Sequence, residues 1–89
     1  MRGMSRYFFD TREGHKFTPD DVGLEFDSLD AAEHAAACAA AEMGRDQLPK
    51  GDSREVTVEV KNEHRQRVLT VTVSMEIHRV DPEPLPPRA

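Results

Sequence analysis

EVTVEVKNEHRQRVLTVTVSMEIH, Glu55 to His78, decides the fold. Val56, Val58 and Val60 alternate with Glu55, Thr57, Glu59 and Lys61. After the polar turn Asn62-Glu-His-Arg-Gln, Leu69, Val71, Val73, Met75 and Ile77 alternate with Thr70, Thr72, Ser74, Glu76 and His78. A repeat of two over this length reads as two long antiparallel strands with one apolar face, because successive side chains of a strand point to opposite sides. Each valine, leucine or isoleucine that is buried contributes about 1.5–3 kcal/mol of transfer free energy. The hairpin is therefore expected to hold most of the core.

Before the hairpin lies a helix. Ser28 is a favourable N-cap, and Asp30 and Glu33 place negative charge at the positive end of the helix dipole. The alanine-rich run Ala31 to Ala41 has the highest intrinsic helix preference. Gly44 weakens the last turns, and Pro49 with Gly51 ends the helix. At 100° per residue, Leu29, Ala32, Ala36, Ala39, Ala40 and Met43 form one stripe, opposite His34, Cys38, Glu42 and Arg45. The apolar stripe is mostly small, so the helix can lie close to a sheet.

At the start of the chain, Arg6 to Asp10 reads as a strand and His15 to Thr18 as its return, with Arg12-Glu13-Gly14 as a three-residue loop. Thr18-Pro-Asp-Asp-Val-Gly-Leu is turn chemistry. The predicted class is α+β, ordered β-β-α-β-β, with one helix on a four-stranded, mostly antiparallel sheet. Two strand orders satisfy the sequence: 2-1-3-4, with all neighbours antiparallel, and 2-1-4-3. Residues 1–4 are expected to be a flexible N-terminus, 5–79 a single domain, and 80–89 a proline-rich disordered tail.

Eighty-nine residues bury only about 60–65% of their unfolded surface, and so small a domain gains stability by pairing with a copy of itself. A homodimer or an unidentified protein partner is therefore expected. No apolar run nears the ~20 residues of a membrane helix, and no apolar segment follows the basic start, so neither membrane nor secretion is indicated. With a single cysteine, Cys38, no internal disulfide is available and the cytoplasm is the expected compartment. Asp10 to Asp46 holds ten acidic residues against three basic ones, within a net charge of −5. Phosphate backbones require clustered lysine and arginine, so no nucleic acid is expected as a partner.

His34 and Cys38 share a helix face and are the candidate metal or thiol residues, but zinc takes three or four ligands and His15, His64 and His78 are scattered. Asp20, Asp21, Glu25 and Asp27 lack the register of a calcium loop and read as a turn and a helix entrance. No nucleophile motif or phosphate-binding glycine loop occurs, so neither an enzyme nor a cofactor is predicted. Among Tyr7, Phe8 and Phe9, Phe8 points opposite to the other two, so at least one ring faces away from the helix. Tyr7 and Phe9, with Thr70, Thr72 and Ser74 of the largely uncharged outer hairpin face, are the candidate interaction surface.

RYFFDTREG, DDVGLEFDSLDAAEHAA and VTVEVKNEHRQRVLTVTV together resemble a family of small uncharacterised proteins of rhizobia and related alphaproteobacteria, classed as a domain of unknown function. The likeness covers roughly residues 5–77. Arg6, Tyr7, Phe8, Phe9, Asp10 and Gly14 match its opening pattern R-Y-F-F-D-x-R-x-G, and Asp21, Gly23 and Leu24 match its second turn. The chain departs from it in a start at Met1 rather than near Met4 and in a longer tail. The resemblance implies one bacterial cytosolic domain and supplies no catalytic residue. Three functions follow as expectations: a non-enzymatic interaction or self-associating module, a metal- or thiol-based sensor at His34 and Cys38, and an acidic antitoxin-like partner of a basic protein.

Overall fold

The computed structural model describes residues 3–88; the expectations for Met1, Arg2 and Ala89 lie outside the described residues. The order of elements is β1 (Ser5–Glu13), β2 (Lys16–Thr18), β3 (Leu24–Phe26), α1 (Leu29–Gln47), a 3-10 turn (Leu48–Lys50), β4 (Glu55–Lys61) and β5 (Arg67–Ser74). The sheet runs β2-β1-β4-β5, every pair antiparallel, and β3 also pairs with β1. The α+β reading holds, and of the two strand orders the all-antiparallel one is observed.

The sheet has five strands rather than four. Leu24–Phe26, expected to be turn, is β3, and it pairs with β1 antiparallel at Ser5↔Phe26 and Tyr7↔Leu24. β2 pairs with the other half of β1, at Thr11↔Thr18 and Glu13↔Lys16. The two short strands therefore make one interrupted edge. The five residues 19–23 stand opposite only Phe8, Phe9 and Asp10, so that segment must bulge out. β1 is also longer than expected. It continues to Glu13, and the turn is the two-residue Gly14–His15 with Gly14 at positive φ in its first position, as a type II′ hairpin requires.

α1 begins as its sequence dictates, with the Ser28 hydroxyl accepting the Ala31 N–H at 3.1 Å. It lies chiefly over β4 and β5. Val56, Val58 and Val60 are fully buried beneath Ala32, Ala36 and Ala40, and Leu69, Val71 and Val73 border them on β5. Leu29, expected on the buried stripe, is 42% exposed, and the stripe instead ends on buried Gly44. A Cβ at Gly44 would stand 2.8 Å from Val73 Cγ1, so the missing side chain is what lets the helix approach β5. The alternation of the last strand does not carry burial to Ile77. β5 ends at Ser74, Met75 and Ile77 are 39% and 78% exposed, and residues 75–88 have no regular structure. The cause is the partner strand: β4 starts at Glu55, which pairs with Ser74. Among the described residues no helix is long and apolar enough to cross a membrane.

Candidate interaction surface

The β1 edge is closed by a carboxylate. Where residues 19–23 leave the ladder, Asp20 Oδ2 accepts the Phe9 N–H at 3.0 Å and replaces the missing strand partner. Its Oδ1 accepts the Val22 and Gly23 N–H groups at 3.0 and 2.9 Å, the local pattern by which aspartate stabilises a turn. The Asp20 N–H in turn donates to Asp10 Oδ1 at 2.8 Å, and Lys61 Nζ lies 2.7 Å from Asp10 Oδ2. Asp10 is 2% exposed, and these two bonds keep its charge satisfied there. Gly23 has φ +74, and a Cβ on it would meet the Tyr7 carbonyl oxygen at 2.8 Å, so only glycine fits this approach.

The clasp is held from the far side of the sheet as well. Arg65, in the turn between β4 and β5, lays its guanidinium 3.7 Å from the Phe8 ring centre and donates to the Asp20 carbonyl at 3.3 Å. Arg65 takes a left-handed φ of 63°, and Asn62 supports it by accepting the Arg65 N–H on its carbonyl and the His64 and Gln66 N–H groups on its side chain. Arg6 bonds the Val22 carbonyl at 2.9 Å and Glu25 at 3.3 Å. Burial pushes the Asp10 carboxyl up, but the Lys61 and Asp20 hydrogen bonds and the Lys61 charge outweigh it and leave the group below its ordinary value. Asp20 follows the same pattern: burial raises it, while the Phe9, Gly23 and Val22 N–H groups and the Arg65 charge bring it lower.

The expected surface residues divide between the two faces. Tyr7 and Phe9 face α1, pack against the core and meet Phe26 at ring-centre distances of 6.1 and 5.8 Å, the second pair stacked. The ring on the other face is Phe8, and Arg65 covers it. Thr70, Thr72 and Ser74 lie on the open outer face, where the Thr72 hydroxyl is 3.0 Å from that of Thr57. Tyr7 and Phe9 thus do not join them in one surface.

Beside those residues the sheet ends without cover from any of the described residues. The Met75 N–H donates to the Arg54 carbonyl, so the backbone of Met75 points to the β4 side. Backbone direction alternates along an antiparallel strand. Leu69, Val71 and Val73, opposite Val60, Val58 and Val56, therefore also bond toward β4, and Thr70, Thr72 and Ser74 turn their N–H and C=O groups to the free edge. A bulge at Val60/Lys61 marks the start of this run.

His34 Nε2 and Cys38 Sγ are 3.7 Å apart on the exposed helix face. His15, His64 and His78 lie in the β1–β2 turn, in the β4–β5 turn and beyond β5. Among the described residues no group of three His, Cys, Asp or Glu side chains is placed to hold a metal ion. Asp20 was expected to be a generic turn residue; the Asp-x-x-Gly spacing of Asp20 and Gly23 was its available signal, and it is Asp20, not the exposed Asp21, that makes the bonds.

No curated protein and no solved structure gives a significant match to the chain. A family model does, from residue 6 to residue 74, a span that runs from Arg6 at the clasp to Ser74 at the end of the open edge strand. The chain belongs to that family, DUF6894, a domain of unknown function.

Proposed function

We propose that this chain is a small non-enzymatic module that binds protein through the β5 edge and the largely uncharged outer face beside it, where Thr57, Thr70, Thr72 and Ser74 lie. The observation that carries this reading is the edge strand itself, which offers free backbone groups along an eight-residue strand without charge or proline from Val68 to Ser74. Such an edge is a template for strand addition, in which main-chain bonds supply affinity. The commitment of the buried carboxylates Asp10 and Asp20 to backbone N–H groups and Lys61 supports a structural rather than catalytic use of them. A bacterial, cytoplasmic setting of the alphaproteobacterial kind belongs to the same proposal.

Thr72→Pro tests it, because it removes an outward N–H without touching the bonds to β4. Complexes are captured from cell extract on the wild-type and the variant domain, and their components are identified by mass spectrometry. Retention of a protein, a copy of the chain included, by the wild type and its loss by a folded Thr72→Pro domain is the expected outcome. Equal retention, or none, contradicts the reading.

A further inference from the structure

We infer that the occupant of the β5 edge is a second copy of this chain, its β5 paired antiparallel about a two-fold axis at Val71. This rests on the reading of β5 as the contact edge and names the partner. The strand is complementary to itself in backbone, side chains and charge.

Its free N–H and C=O groups belong to the alternate residues Thr70, Thr72 and Ser74, and Val71 is the midpoint of the uncharged run Val68–Ser74. Centring the axis there sets Thr70 of each copy opposite Thr72 of the other, so that their outward groups exchange hydrogen bonds. An axis at Thr72 would push pairing past Ser74, where the strand ends, and one at Thr70 would set charged Arg67 opposite Val73. On the helix side, half-buried Leu69, Val71 and Val73 of one copy meet Val73, Val71 and Leu69 of the other and complete one another's burial. On the outer face, each threonine hydroxyl can donate once and accept twice, so Thr70 of the second copy extends the Thr57–Thr72 hydroxyl pair.

Charge selects direction. Arg67, whose guanidinium also lies 3.4 Å from Glu59 of its own copy, stands at one end of the run, and Glu76 lies just beyond the other. Antiparallel pairing brings the arginine of each copy near the glutamate of its mate, whereas parallel pairing would set arginine against arginine. The helix does not stand in the way. Ala37 and Ala41 precede Gly44 on its own flank of α1, toward Val73, and both are exposed and carry a single methyl group. The result is one continuous sheet across both copies with both helices on the same side.

Four proteins test the inference by native mass spectrometry and by cross-linking under a mild copper oxidant. The wild type is expected at twice the 10.0 kDa chain mass and folded Thr72→Pro at the single mass. In a Cys38→Ala background, Val71→Cys is expected to form a disulfide dimer, because a non-hydrogen-bonded antiparallel pair brings Cα atoms to about 4.5 Å, within the range a disulfide spans. Thr72→Cys in that background, opposite Thr70 rather than its own copy, is expected to cross-link at least about tenfold more slowly. A single mass for the wild type overturns self-pairing, as does a doubled mass that persists in folded Thr72→Pro or a faster cross-link at residue 72 than at 71. Should Thr72→Pro fail to fold, the cysteine pair decides. Loss of self-pairing leaves the contact-edge reading intact if extract capture still depends on Thr72, so the two failures are distinguishable.

Discussion

The two edges of this sheet are built in opposite ways. At the β2/β3 edge two strands of three residues each are separated by Pro19–Gly23, the gap is filled by the Asp20 carboxylate, and Lys16 and Glu25 add charge. Short strands, a bulge, proline and charge are the devices by which a sheet edge avoids joining another. At the other edge β5 runs for eight residues, and past the bulge at Val68, from Leu69 to Ser74, it carries none of them. The described residues close one edge with a network of named bonds and leave the other uncovered. That contrast is why the open edge, rather than the buried carboxylates, is assigned to function.

The comparison breaks most severely at Asp20. Asp20→Ala removes the acceptors of three backbone N–H groups, including that of part-buried Phe9, and is expected to lower unfolding free energy by about 3 kcal/mol in denaturant titration. A loss below about 1 kcal/mol would mean that water replaces the carboxylate and that the edge is not closed by it. Acid reaches the same network. Asp10 and Asp20 titrate in the folded protein below the 3.8 of a free carboxyl, so their contribution is complete above that pH and is lost as pH falls through the lower folded values. Thermal unfolding is expected to show midpoints that fall below pH 4, with a smaller fall in Asp20→Asn. An identical acid profile in the variant would place the acid sensitivity elsewhere.

Gly44→Ala should cost about 1–2 kcal/mol, since crowding Val73 outweighs the gain of about 1 kcal/mol in helix propensity. A stabilised variant would show that the helix can lift from β5. At a dilution that keeps the chain single, Thr72→Pro is expected to change stability by less than about 1 kcal/mol, because within one copy that edge N–H has no partner to lose. Smallest of all, Cys38→Ser on the exposed helix face should stay within about 0.5 kcal/mol in calorimetry, and a larger effect would give the His34–Cys38 pair a role this account does not assign.

Much of this architecture was legible in the chain. The period-two valines of β4 and β5 and the capped alanine run are local patterns, and they became the core hairpin and its helix. β3 was not legible, because Leu24–Phe26 is too short to show a period and exists only through pairing with β1, some twenty residues away. Alternation placed Phe8 opposite Tyr7 and Phe9, but which side faces α1 depends on how the sheet packs. Gly44 weakens the helix when read by propensity, and its burial follows from a close helix-to-strand approach at Val73 that propensity does not encode. Met75 and Ile77 continued the alternation, yet a strand needs a partner, and β4 begins too late to provide one. The outer-face threonines were found by the same alternation. The free backbone groups beside them required the strand order.

Residue-resolved amide hydrogen exchange across a dilution series tests both edges at once. The amide of Phe9, bonded to Asp20, is expected to exchange slowly at every concentration, and those of Thr70, Thr72 and Ser74 slowly when the protein is concentrated and rapidly when it is dilute. Rapid exchange of Thr70, Thr72 and Ser74 at all concentrations, or rapid exchange of Phe9, would contradict the account of one closed and one self-pairing edge.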